Sequence, residues 1–486
     1  MGCHGCLWKN TISGISNESR KVFFSSVVYN KFPKANEDYI ESVLSFVFRM
    51  QLRNAIIAIV AALMPSFEAY EFDVDWVAQH LAARSPYPTK HIASKDILPE
   101  GYTLEQMQLI VRHGTRYPEK DDVEEIEAAL QLLRTSSNRT AVGWVDDYVN
   151  PFDMEHEGLL DSKGVEEQYL HGRRIAESYP TFISQIADDR FTGVSVFSSY
   201  TQRTAESGGA LCRGIFDTYS SANTADDESS LKMVITSKSN DTMLAFHEHC
   251  PRWKNEVQNN PSSNIQVSRW KTKALAPIAE RLSEDLGVSV GTKAVKNIHN
   301  GCAYEVAQRN NASTFCTLFS PEELLKLEYR NDLKYYYKYS YGFEELNGRM
   351  ACNLAKKLMQ DMDDAVQRKP NHERLTIKVG HSETIIPLQT FFGLFRDDER
   401  LEADSSPEVI DQRQFRTSQF GSFASNLAFQ VLSQQNTDEK YIRVLVSETP
   451  VVVPGCDTEL CPYSQFRQSI EPNLQCDFDT LCEVTS

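Results

Sequence analysis

Met107-Gln-Leu-Ile-Val-Arg-His-Gly-Thr-Arg-Tyr-Pro118 opens with a short apolar run, Leu109 to Val111, that suits a buried strand. The run stops at Arg112-His113-Gly114, and Pro118 prevents the strand pattern from resuming. Two arginines, Arg112 and Arg116, bracket one histidine, His113. Arginine forks bind phosphate oxygens in pairs and stay charged at any working pH. A histidine between them is placed to attack phosphorus. The carboxyl end of a strand is where open α/β sheets put their ligands. Gly114 allows a tight turn and a close approach of ligand, and Thr115 and Lys90 are further pocket candidates. Alone, the tripeptide also suits a polar loop after a strand.

A second stretch weakens that plain reading. Leu375-Thr-Ile-Lys-Val-Gly-His-Ser-Glu-Thr384 repeats the design: a strand, a glycine, then His381 and Glu383 at its end. The two strands are expected to meet at one sheet edge, with Glu383 as candidate proton donor. A third strand, Phe191 to Phe197, ends in Ser198-Ser-Tyr-Thr-Gln-Arg-Thr204 before a helix. That sets Arg203 at a strand-to-helix turn, a natural anion site.

The Arg-His-Gly-x-Arg-x-Pro run and the later His-x-Glu resemble the branch-two histidine phosphatases, which include acid phosphatases and phytases. Within that family the chain is more similar to the multiple inositol polyphosphate phosphatases. The similarity rests on His381-Ser-Glu-Thr-Ile-Ile-Pro-Leu, Gly393-Leu-Phe-Arg-Asp-Asp398, Asn331-Asp-Leu-Lys, Tyr341-Gly-Phe and Ala424-Ser-Asn-Leu427, and runs from about Ser85 to about Val446. The resemblance implies an α/β histidine-phosphatase core sheet flanked by helices, with an inserted, mostly helical cap. It implies that Arg112, Arg116 and Arg203 hold the scissile phosphate, that His381 is a further contact, and that His113 becomes phosphohistidine. Glu383 would protonate the leaving alcohol, which calls for an acidic optimum or a raised carboxyl pKa. No metal or other cofactor is implied. Ser382 departs from the family's usual alanine; both are small, so little effect is expected.

The expected activity is therefore hydrolysis of inositol polyphosphates, phytate and lower forms. The alternatives are a broad-specificity histidine acid phosphatase and a non-catalytic secreted binding paralogue. Basic residues facing the pocket from the cap would favour the first.

Composition bounds the rest. The chain has 486 residues, 41% hydrophobic and 24% charged, with a formal net charge of -17. That balance suits a globular protein and argues against nucleic acid as partner; an anionic ester must find a local basic pocket. Oligomeric state is not legible. Met50-Gln-Leu-Arg-Asn followed by Ala55 to Met64 and Pro65-Ser-Phe-Glu-Ala69 is a secretory signal pattern. Met50 is then a candidate true start, and residues 1–69 a leader. An uncleaved run would instead anchor the chain at the cell surface; otherwise the protein is secreted or lumenal. Beyond Cys3 and Cys6, nine cysteines remain. An odd number leaves at least one outside any intrachain pair, and those from Cys456 to Cys482 read as staples on a loop-rich tail. Asn138, Asn240 and Asn311 are glycosylation acceptors if the chain is secreted.

The expected organisation is a first core part at 70–235, a helical cap at 236–340, and a second core part with the Cys-rich tail at 341–486. Helices are expected from Asp121 to Leu133, after Asp161 or Ser162, and from Asn347 to Gln367. Further strands are expected at Leu231 to Thr236 and Tyr441 to Val446, the latter as the last of the core. His171 reads as structural. His247, His249 and Cys250 read as packing plus a disulfide, not a metal set. The run Lys334-Tyr-Tyr-Tyr-Lys-Tyr-Ser-Tyr341 reads as helix packing near the domain seam.

Overall fold

In the computed structural model of the chain, Arg49 and residues 70–88, 98–217 and 232–484 are described. Lys90 and the leader segments around Met50 and Ala55 lie outside them. No helix among the described residues is long and apolar enough to cross a membrane. Residues 67–486 form one compact unit.

Among the described residues, eight strands make one mixed sheet in the order β3-β2-β4-β1-β5-β6-β7, with β8 beside β6. They are β1 Tyr102–Arg112, β2 Val194–Ser198, β3 Met233–Ile235, β4 Leu375–Gly380, β5 Asn426–Gln434, β6 Lys440–Val446, β7 Thr449–Val451 and β8 Leu460–Pro462. The strands β3, β2, β4 and β1 run parallel; β5 to β8 are antiparallel additions. The strand at Tyr441 to Val446 is thus not the final one, and β5 was not anticipated. β5 is a central strand, but its buried Asn426 and Gln430 interrupt the apolar pattern. Gln106 and Gln108 do the same in β1, where their side chains donate to the carbonyls of Asp361 and Leu358 at 2.9 and 2.8 Å. Buried amides need such partners.

The helices that position the site are α1 Lys120–Arg134, α2 Ser162–Ser178, α3 Gln202–Phe216, α4 Thr292–Arg309, α5 Pro321–Tyr339, α6 Cys352–Val366, α7 Ser382–Phe391 and α8 Tyr463–Leu474. Asp161 caps α2 by accepting from Lys163 N. The helix expected from Asn347 breaks: Gly348 packs against Thr390, a 3₁₀ turn follows at Arg349–Ala351, and α6 starts at Cys352.

Alternation along β1 divides the core. Leu109 and Val111 face Ile175, Ile183, Leu211 and Ile215 on the α2 and α3 side. Ile110 faces the opposite layer, where Leu354 and Leu358 of α6 and the helices of 251–339 share one continuous apolar cluster with the sheet. The helical insert therefore shares its core with the sheet. Four disulfides tie this layer: Cys250–Cys482, Cys302–Cys316, Cys352–Cys476 and Cys456–Cys461. Only the last lies within the tail; Cys476 and Cys482 reach back to the body. Cys212 is the free cysteine among the described residues. Of Asn138, Asn240 and Asn311, Asn240 is exposed. Asn138 and Asn311 donate their amide nitrogens to Asp285 O and Glu305 Oε2, each at 2.8 Å. His171 is buried in α2, 4.0 Å from Glu448, and takes no part in the site described next.

Candidate active site

The parallel register aligns Arg112 with Gly380, so both motifs emerge side by side at the carboxyl edge. His113 N donates to Gly380 O at 3.0 Å, and the His113 and His381 rings lie 5.6 Å apart. β2 is the next strand, and Arg203 enters in the first turn of α3. His113, His381, Arg112, Arg116, Arg203 and Glu383 line one cavity of about 500 Å³.

His113 is 3% exposed. Its Nδ1 lies 2.9 Å from the Gly114 carbonyl. A carbonyl only accepts, so Nδ1 carries the proton and Nε2 keeps its lone pair. Burial, then the positive charges of Arg203 and Arg112, push the imidazole well below its usual pKa. It stays neutral, and so nucleophilic, in acid that would protonate a solvated histidine.

The three arginines are held at their rims. Arg112 donates Nη1 to Ala83 O and Gly421 O at 2.5 and 2.6 Å and stacks on Phe423 at 4.5 Å. Arg116 donates to Tyr117 O at 2.7 Å, and Arg203 to Gly158 O at 3.2 Å. Glu119 pairs with both, at 3.3 and 3.4 Å. In all three, the buried Nε–H has no hydrogen-bond partner among the described residues. Burying an unsatisfied donor is costly, and three such donors around one histidine form an anion seat.

Glu383 is half-buried on the first turn of α7. Burial alone would raise its pKa. The facing His247 and His381, a hydrogen bond from Ser382 and the charge of Arg112 outweigh burial and hold it well below the usual range. Of the two alternatives, an acidic optimum or a raised carboxyl, the site as it stands leaves the acidic optimum. A phosphate dianion brought alongside acts in the opposite direction, by like-charge repulsion. Size is not the whole difference from alanine at Ser382, because its hydroxyl donates to Glu383 Oε2 at 2.8 Å.

Thr115 does not face the pocket. It is fully buried, with N and Oγ1 donating to Glu167 at 2.8 and 2.9 Å. Gly114 serves a neighbour other than ligand. A Cβ there, or at Gly164 of α2, would collide with the other's backbone region at Gly164 O or Thr115 O. Glycine to alanine inside a helix ordinarily gains about 1 kcal/mol. At Gly164 the collision is with backbone, so overpacking wins. Gly164→Ala is expected to cost about 1–3 kcal/mol in a thermal or denaturant unfolding series.

Several lining residues escaped the sequence reading: Arg84, Lys296, Arg330, Lys334, Tyr335 and His247. His247 does pack, on Trp253 at 5.7 Å and Tyr339 at 6.2 Å, yet it also lines the cavity. Arg330 and Lys334 were recoverable as an i, i+4 pair on one face of α5. Arg84 pairs with Asp122 at 2.8 Å and Lys296 with Glu125 at 2.5 Å. Arg330 and Lys334 have no carboxylate in contact among the described residues. Burial and then the neighbouring Arg84 depress both, Arg330 to about 10 and Lys334 to about 8.

The model of the histidine phosphatase superfamily (branch 2) matches residues 103–447. A multiple inositol polyphosphate phosphatase 1 of Gallus gallus is 28% identical over 448 residues, covering 88% of this chain and 95% of that protein. A thiamine-repressible acid phosphatase of Schizosaccharomyces pombe is 26% identical over 467 residues, covering 88% and 96%. The crystal structure of a phytase from D. castellii superposes with a TM-score of 0.69 at 19% identity, covering 85% of this chain and 88% of that one.

Proposed function

Because the chain belongs to the histidine phosphatase superfamily, branch 2, we propose that it hydrolyses inositol polyphosphates, phytate included, through a phosphohistidine intermediate. Arg112, Arg116 and Arg203 seat one phosphate, with His381 as a further contact. His113 Nε2 attacks phosphorus; the P–O bond to the alcohol breaks, and Glu383 gives the departing oxygen its proton. Water then attacks the phosphorus, the P–N bond breaks, and the water's proton passes to Glu383.

The observation that carries the substrate is the positive charge beyond that seat. A simple ester needs three arginines. Arg330 and Lys334 on α5, with no carboxylate in contact among the described residues and depressed by burial and then by Arg84, hold positive potential that further anionic groups relieve. A cavity of about 500 Å³ suits a small ring carrying several phosphates. The Gallus gallus relative carries such an activity in its name. The second reading, a broad-specificity acid phosphatase, is favoured by the Schizosaccharomyces pombe relative at similar identity. Four disulfides support an oxidising compartment, hence secretion or a lumenal site and glycosylation first at the exposed Asn240.

The test is phosphate release from phytate and from an aryl phosphate across acidic to neutral pH, with chelator present. Chelator-resistant release at least about tenfold more efficient on phytate is expected, a difference of about 1.4 kcal/mol in transition-state binding. Equal efficiency on both esters would select the broad-specificity reading.

A further inference from the structure

Glu383 sits where several elements converge. From its own helix come Ser382 and His381, from the β1 edge Arg112, and from α3 Arg203. His247 approaches from the 3₁₀ turn Phe246–His249, and Tyr335 and Tyr339 from α5. The chain just before that turn is docked on α7, since Thr384 Oγ1 donates to Leu244 O. Ser382 is 3% exposed. Its hydroxyl donates to Glu383 Oε2 at 2.8 Å and also meets Tyr335. The arginines are shared with phosphate, and the imidazoles gain or lose charge with pH. Ser382 is the neutral donor aimed at the carboxylate at every pH.

We propose that Ser382 is a positioning residue for Glu383, fixing its rotamer and setting the pH at which it passes from proton donor to carboxylate. This rests on the reading of Glu383 as the leaving-group acid. The physical argument is one of sign. A hydroxyl hydrogen bond favours the charged carboxylate over the acid, so it lowers the pH above which the donor is lost. The same bond favours the form Glu383 takes once the proton has left, ready to receive one from water in the second step. Alanine at this position would supply no such bond, so this chain trades donor capacity at higher pH for a carboxylate that stays deprotonated further into acid. His247 pulls in the same direction while charged, and ceases to as it deprotonates; Ser382 does not.

The experiment is the pH dependence of kcat for the wild type, Ser382→Ala, Ser382→Thr and Glu383→Gln, on glycerol phosphate and on p-nitrophenyl phosphate. The basic limb of kcat reports the donor in the enzyme–substrate complex. In Ser382→Ala it is expected to move up by about one pH unit on glycerol phosphate, the size of one hydrogen bond to a carboxylate. Ser382→Thr keeps the hydroxyl and returns the limb. p-Nitrophenolate leaves with little protonation, so its limb moves less. A residue that merely supports the fold would lower both rates in parallel and leave the limb in place. A Ser382→Ala limb superimposable on wild type, or moved down, beside a Glu383→Gln variant slowed at least about a hundredfold, overturns the proposal and leaves the donor reading standing. Glu383→Gln turning over glycerol phosphate at the wild-type rate overturns both.

Discussion

His113→Ala is expected to lower kcat on every phosphomonoester by roughly four orders of magnitude or more, the scale on which a nucleophile's removal is felt. The reason lies in what the backbone does to the ring. The Gly114 carbonyl fixes the proton on Nδ1, and burial among Arg203, Arg112 and Arg116 keeps the ring uncharged. The other imidazole at the sheet edge, His381, is turned by 66° against His113. The measurement is single-turnover kinetics with a radiolabelled ester quenched in base. Label bound to the wild-type protein and missing from the variant is the expected result. The protonation argument adds a direction. A histidine pushed below its ordinary pKa keeps its lone pair at lower pH, so the acid limb of kcat/KM for the wild type is expected well below 6.5. Turnover of the variant within about tenfold of wild type, with folding intact, would remove His113 from the nucleophile's role.

The second large effect concerns Arg330 and Lys334 together. Replacing both by alanine is expected to lower kcat/KM for phytate on the order of a hundredfold and to leave the aryl ester within about threefold. Hydrogen bonds to charged groups contribute about 1.5–3 kcal/mol each, and neighbouring sites add imperfectly. About 2.7 kcal/mol for the pair, a factor of a hundred, follows at about 1.4 kcal/mol per decade. The penalty should shrink as salt rises, since part of it is screened Coulomb attraction. Stability should respond with the opposite sign. Both groups are held below their ordinary pKa by burial and by Arg84, so the folded state disfavours their charge. Lys334 then costs stability below the folded-state value of about 8, and removing it should leave the melting temperature unchanged or higher in acid. A variant losing melting temperature and both activities together would point to packing in α5 instead.

The sequence carried more of the site than of the fold around it. Arg112, His113 and His381 were readable because each closes a short apolar run, and parallel strands ending alike must deliver their next residues to one edge. Arg203 was readable for the same reason, one strand further out. β5 was missed because Asn426 and Gln430 look like surface residues until the buried Tyr87 and Tyr179 hydroxyls they serve are in place. Thr115 was misplaced because its proximity to His113 in sequence says nothing about Glu167, 52 residues on. The basic face of α5 was hidden by its aromatics: Tyr336 and Tyr337 do pack in the core, while Tyr335, Arg330 and Lys334 line the cavity. Which face of a helix meets the pocket depends on α5 packing beside α7, a contact between distant parts of the chain.

Cys476 and Cys482 follow every other paired cysteine in the sequence, yet their partners, Cys352 and Cys250, lie at the heads of α6 and of the segment that follows His247. During synthesis the pocket's histidine-bearing turn is therefore made some 232 residues before the half-cystine that fastens it. Oxidation that began on the emerging chain would find Cys250 and Cys352 without their proper mates and with Cys302 and Cys316 within reach. Correct pairing of Cys250 and Cys352 is thereby deferred until the segment that carries Cys476 and Cys482 has been made. A frameshift that removes only the segment beyond Cys461 would leave every lining residue of the cavity in place, while leaving Cys250 and Cys352 without their partners.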